Sequence, residues 1–133
     1  MCPNDTNPMG ILLGGKLVHW MDLAAAACAQ MHAERTCVTV AMEKVNFHLP
    51  VRVGDIVRIE AKVTRVFNTS MEIVVQAQIQ GIGSNGSRTV SESWFTFVAL
   101  DDGQCPTRII PIVPETEEET VLFNEAGIRK LNR

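Results

Sequence analysis

Four consecutive alanines, Ala24 to Ala27, lie inside a segment whose apolar residues recur at helical spacing from about Gly15 to His32: Leu17, Met21, Ala24, Ala25, Cys28 and Met31. Alanine favours helix and adds almost no bulk. A helix with small side chains nearly all round predicts close enclosure by other elements, not a berth on a surface. The remainder of the chain has to supply that enclosure.

Extended segments follow. Thr36 to Phe47 is rich in β-branched and apolar residues and stops short of Pro50. Ile56 to Phe67 alternates, with Val57, Ile59, Ala61 and Val63 on one side and Arg58, Glu60, Lys62 and Thr64 on the other. Met71 to Ile79 repeats the pattern, setting Met71, Ile73, Val75, Ala77 and Ile79 against Glu72, Gln76 and Gln78. Asn68 and Thr69 suit a tight hairpin turn between the two, and Gly81 to Ser87 reads as a flexible turn. Arg88 to Leu100 is apolar on both faces around Trp94, Phe95, Phe97 and Val98, which predicts a central strand or one covered at an interface.

Past Pro106, Pro111 and Pro114 a second helix is expected, because Thr116 and Glu119 have capping-box spacing. Glu115, Glu117 and Glu118 near its start and Arg129, Lys130 and Arg133 near its end complement the helix dipole. Its thin apolar stripe of Val121, Leu122 and Ala126 predicts peripheral packing or contact with another subunit. The expected architecture is α+β: a long central helix wrapped by a curved antiparallel sheet, with residues 1–113 as the domain and 114–133 as a C-terminal helical extension. Four strands leave an edge and a partly apolar outer face, so at least a dimer is expected.

Composition narrows the function classes. The chain of 133 residues is 46% apolar and 20% charged, and no apolar run approaches the roughly 18 residues that span a bilayer. Its start has neither a basic segment nor an apolar signal core, so a cytoplasmic protein is expected, without membrane partners. A net charge of −3 with scattered Lys and Arg argues against nucleic acid. Cys2, Cys28, Cys37 and Cys105 lack C-x-x-C spacing, and His19, His32 and His48 lack an H-x-x-x-H pattern, so no metal is expected. Cys28, on the helical stripe, reads as a small core residue.

The stretch from Asp5 to Asp22 carries the chemistry. An apolar helix opening on Gly14-Gly15 leaves free backbone N–H groups at a positive dipole end. Two turns on, Asp22 is costly among small apolar residues unless solvated, paired or used. Together they offer donors for a carbonyl oxygen and a carboxylate to handle water.

The run Asp5-Thr6-Asn7, Gly10, Gly14-Gly15, Leu17 and Met21-Asp22 resembles the signature of hotdog-fold acyl-CoA thioesterases of the cytosolic acyl-CoA hydrolase type. So do Val45 to Asp55, Arg65 to Glu72, Trp94 to Leu100 and Pro114-Glu115-Thr116, in order along nearly the whole chain. The resemblance implies hydrolysis of acyl-CoA to free acid and CoA, without metal or any cofactor beyond the CoA of the substrate. It also implies sites between paired protomers, commonly in a trimer of dimers, with Asn7 and Asp22 as the functional pair. Family members usually carry a strand before the Asp-Thr-Asn turn. Only four residues precede Asp5 here, so either the sequence begins late or that strand is missing, which bears on one sheet edge.

On that footing Asp22 is the catalytic carboxylate, as general base to water or as nucleophile, the alternative being an ordinary helix aspartate. Asn7 holds water or substrate, or only shapes its loop through an Asx turn. Gly15 beside Gly14 is the oxyanion donor, or a plain helix-start glycine. His19 and His48 line the cleft or are structural or exposed, and Phe47 and Pro50 shape the strand end near the acyl pocket or serve core packing. Arg52, Arg65 and Arg88 are candidates for the CoA phosphates, with surface solvation as the competing reading. A non-catalytic acyl-CoA sensor on the same fold is the alternative function. An acyl-thioester hydratase would pair an Asp with a His, of which His19 is the only hint.

Overall fold

The computed structural model describes residues 7–80 and 86–131. The motif residues Asp5 and Thr6, the cysteine Cys2, the turn residues 81–85 and the terminal Arg133 lie outside the described residues. Six elements follow in order: α1 (Gly14–Ala33), β1 (Thr36–Phe47), β2 (Ile56–Val66), β3 (Ser70–Gln80), β4 (Ser87–Leu100) and α2 (Glu117–Leu131). The strands form one antiparallel sheet in the order β1-β4-β3-β2, so β4 is central, as its two apolar faces predict. This is the expected hotdog architecture. Among the described residues no helix is long and apolar enough to cross a membrane.

Alternation decides which face of the sheet receives α1. Met71, Ile73, Val75 and Ala77 of β3 are fully buried, and Phe95 and Phe97 of β4 join them, with ring centroids 6.4 Å apart. From the helix, Leu17, Met21, Ala25 and Ala29 are buried against these strands. Those four are spaced every fourth residue, so one narrow row meets the sheet, and at its alanine end the helix axis comes close. The expected stripe is rotated relative to this row: Met31 is 81% exposed, and Cys28 sits at the rim of the core, where burial pushes its thiol pKa up. The helix stops at Glu34, which takes the left-handed conformation (φ 55°) while its N–H bonds the Gln30 carbonyl.

The other face of the sheet holds α2. Glu72, on the side of β3 that alternation sets apart from the core, is nonetheless fully buried. Arg129 of α2 makes a two-pronged ion pair with it, Nε to Oε2 at 2.9 Å, and Thr64 donates to its Oε1 at 2.7 Å. Arg129 also lies 4.8 Å from the Trp94 ring centroid, and Arg65 lies 3.9 Å from that of Phe123. The second helix therefore docks on its own sheet through charges and rings, with Ala126 its one buried residue. A thin stripe is sufficient because the polar pairs carry the contact.

Candidate active site

Asp22, Gly15 and His19 fall on one face of α1, because positions 15, 19 and 22 are one and two turns apart. They line a cavity of about 430 Å³ with Val18 and with Thr39 to Met42 of β1. Asp22 is half-buried there, and the Thr39 hydroxyl donates to its Oδ1 at 2.7 Å. Oδ2 is left without a partner among the described residues. Thr39 has no signal in the sequence: it reads as one more β-branched strand residue, and only the fold brings it to Asp22.

The start of α1 is open. Leu13 occupies the N-cap position and supplies no side-chain hydrogen bond, and the first turn holds no acidic residue. The N–H groups of Lys16 and Leu17 both turn back to the Leu13 carbonyl, at 3.0 and 3.2 Å. Those of Gly14 and Gly15 have no acceptor among the described residues. Two neighbouring donors at a positive dipole end are what a developing oxyanion needs.

Asn7 lies in the loop before the helix, where its Oδ1 accepts from the N–H groups of Met9 (2.9 Å) and Ile11 (3.2 Å). This is an Asx-type turn, closed by Gly10 at φ +76°. The side-chain NH₂ takes no part in these bonds. Within one protomer Asn7 does not line the Asp22 cavity.

A second cavity, of about 310 Å³, lies on the other side of the helix start. Gly14, Phe47, His48 and Pro50 border it above Leu17 and Val90. The structure thus divides the cleft residues expected from the sequence into two groups: Gly15, His19 and Asp22 in one cavity, Gly14, Phe47, His48 and Pro50 in the other. Neither is lined by Arg52, Arg65 or Arg88. Arg52 and Arg88 are exposed. Arg65 meets α2: its guanidinium donates to the Phe123 carbonyl at 3.2 Å and packs on the Phe123 ring.

A family model for the thioesterase superfamily matches residues 9–84. An uncharacterised acyl-CoA thioester hydrolase of Bacillus subtilis is 39% identical over 98% of this chain and 76% of its own length. The acetyl-coenzyme A thioesterase of Mus musculus is 36% identical over 96% of this chain, which spans 23% of that protein. Among solved structures, the acyl-CoA hydrolase of Staphylococcus aureus in complex with butyryl-CoA, CoA and CoA disulfide superposes with a TM-score of 0.92 at 35% identity, covering 98% of this chain and 80% of that one. Structures of that enzyme with a single asparagine, aspartate or threonine changed to alanine also match, and the three positions are 15 and 17 residues apart, as are Asn7, Asp22 and Thr39. A hexameric acyl-CoA thioesterase superposes with a TM-score of 0.93 at 35% identity over 99% of this chain and 85% of its own.

Proposed function

The chain belongs to the thioesterase superfamily, and on that premise we propose that it hydrolyses acyl-CoA thioesters to a free carboxylic acid and CoA. One observation carries the reading: among the described residues α1 begins with two unbonded glycine N–H groups and no capping side chain, and a hydroxyl-anchored Asp22 stands on the same helix. The glycine N–H groups receive the thioester carbonyl oxygen. Asp22, its Oδ1 fixed by Thr39, presents Oδ2 to a water and takes its proton as that water attacks the carbonyl carbon. The tetrahedral oxyanion is held by the two N–H groups, and its collapse breaks the C–S bond and releases the CoA thiolate, which is then protonated. Asn7, held by its own turn, offers its NH₂ to water or substrate. A silent acyl-CoA sensor needs no such base.

The working unit in this reading is a homo-oligomer, a trimer of dimers. Asp22 lies seven residues past Gly15, about 10 Å along the axis at 1.5 Å per residue, which is too far for a base acting on a carbonyl at that glycine. The two cavities sit toward opposite ends of β1, an edge strand that exposes Val38, Val40 and Met42. Two β1 strands paired antiparallel about a two-fold axis set the Thr39 end of one copy beside the Phe47 end of the other. Asp22 of one copy then meets the helix start and Asn7 of its neighbour.

The test is thiol release from acyl-CoA by the wild type, by Asp22→Asn, by Asn7→Ala and by a mixture of the two variants. Asp22→Asn is expected to lose at least ~100-fold in turnover with the assembly intact. Mixed variants regain activity, because some interfaces recover one complete site. Near-normal turnover in folded Asp22→Asn refutes the base, and no recovery despite proven subunit exchange refutes the shared site.

A further inference from the structure

Gly14 and Gly15 are consecutive, yet they face different chemistry. Gly15 opens on the cavity that holds Asp22, Thr39 and His19. Gly14 opens on the cavity whose deep wall is Leu12, Leu17, Val51 and Val90, each under a tenth exposed. Among the described residues no carboxylate, amine or guanidinium lines that second cavity, and His48 is the one titratable side chain there. A pantetheine arm, with its two amides, would find few partners there, whereas a hydrocarbon chain loses water on every side. A carbonyl held on adjacent N–H groups has its alkyl substituent one bond away, so the apolar cavity is within reach of the chain, while the attacking water comes with Asp22 of the neighbouring copy.

The lip of the apolar cavity is a single ring. Carbons Cε2 and Cζ of Phe47 stand 3.2 Å from the point where a Cβ on Gly14 would be, so the ring rests on the glycine and only a glycine lets it come so close. The ring itself is 51% exposed, and no core packing holds it. Its backbone is fixed, because β1 ends there and the next N–H, that of His48, bonds the Val90 carbonyl at 2.8 Å. Phe47 is thus an exposed ring on a fixed strand end, placed where an acyl chain would leave a shallow cavity floored by the core.

We propose that this cavity takes the acyl chain and that Phe47 is a specificity-determining residue which restricts it to short and medium chains; this rests on the acyl-CoA thioesterase reading. The volume of about 310 Å³ equals about ten liquid waters at about 30 Å³ each, and a methylene group fills about as much space, so the cavity suits a chain of up to about ten carbons and not a long fatty acyl group. Removing the ring opens the cavity sideways to solvent and gives longer chains a path. Because chain contacts are the same in ground and transition state, the change falls on KM more than on kcat.

The experiment measures kcat and KM for acetyl-, butyryl-, octanoyl- and palmitoyl-CoA with the wild type, Phe47→Ala, Phe47→Leu and Phe47→Tyr. The wild type is expected to favour butyryl or octanoyl over palmitoyl. Phe47→Ala raises the palmitoyl-to-octanoyl ratio of kcat/KM at least ~10-fold, the scale of methylene discrimination in an apolar pocket, mainly through KM. Phe47→Tyr, which keeps the ring, keeps the wild-type profile, and Phe47→Leu gives an intermediate shift even if the alanine variant folds poorly. Hydrolysis with the same chain-length profile in every folded variant overturns the acyl cavity and leaves the thioesterase reading standing. Absence of thiol release from all four substrates with folded wild type overturns that reading, and this proposal with it.

Discussion

At the start of α2 the Thr116 hydroxyl accepts from the Glu119 N–H at 3.0 Å, the Glu119 carboxylate accepts from the Glu115 N–H at 2.9 Å, and three glutamates fill the first turn. At the start of α1 the cap is a leucine, two glycines follow, and the first turn holds no acidic residue. Capping is worth about 1 kcal/mol and a well-placed acidic residue a few tenths more. One helix start is finished for stability, and the other is left with its donors open and its dipole unopposed. The helices attach in opposite ways too. An apolar row fixes α1, which is thereby rigid enough to carry a site at a poorly capped end, while an ion pair and stacked cations fix α2, whose own start is closed by its capping box and by a Glu119–Lys62 contact at 3.7 Å.

The largest effect tests that contrast in attachment. Arg129→Ala takes the guanidinium away from the fully buried Glu72 and is expected to lower unfolding free energy by about 3 kcal/mol in a denaturant titration, as for other broken buried pairs. Replacing both residues with methionine recovers most of that loss, since no charge is then stranded. Turnover per folded site stays within about twofold in either variant, because the pair lies on the face of the sheet away from α1. A loss below about 1 kcal/mol for Arg129→Ala would mean that the rings and the helix backbone, not the ion pair, hold α2.

Legibility follows the same divide. The strands read well because alternation has a period no other structure shares: Met71, Ile73, Val75, Ala77 and Ile79 all proved buried. The buried row of α1 read poorly, because in an alanine-rich helix every face is apolar and periodicity has little to distinguish; Met31 went to solvent and Ala29 to the core. The polar clasp under α2 was invisible, since Glu72 looks like any outward residue of an alternating strand until a distant arginine covers it. Asp22, Asn7 and the glycine pair stood out because a motif carries them close together in sequence. Thr39 did not, as its role depends on a contact spanning 17 positions.

A second change makes the two helix starts alike. Leu13→Asp at the α1 N-cap should accept from the Gly15 or Lys16 N–H and stabilise the protein by about 1 kcal/mol. The same carboxylate occupies donors meant for the oxyanion and places a negative charge where one must develop, so turnover should fall about 100-fold, the scale of losing one oxyanion donor. Thermal midpoint and kcat are measured on the same preparation. A raised midpoint with undiminished turnover would show that the α1 amides take no part in the chemistry.

The smallest change unmakes the finished cap. Thr116→Ala removes the acceptor for the Glu119 N–H and should cost about 1 kcal/mol near neutral pH, with turnover unaltered, because α2 lines neither cavity. Acidification reaches the other half of the capping box. The Glu115 N–H, with help from Lys62, holds the Glu119 carboxyl below its usual pKa. A carboxyl depressed in the folded state adds stability above its unfolded pKa and loses it as the pH falls through the folded value. Both wild type and Thr116→Ala should therefore shed the Glu119 contribution in the acid range, while the difference between them at neutral pH is set by the threonine alone. Amide hydrogen exchange at the α2 start, followed against pH, reports this fraying directly. If Thr116→Ala instead lowered turnover about tenfold without loss of fold, the division between a structural helix start and a working one would fail.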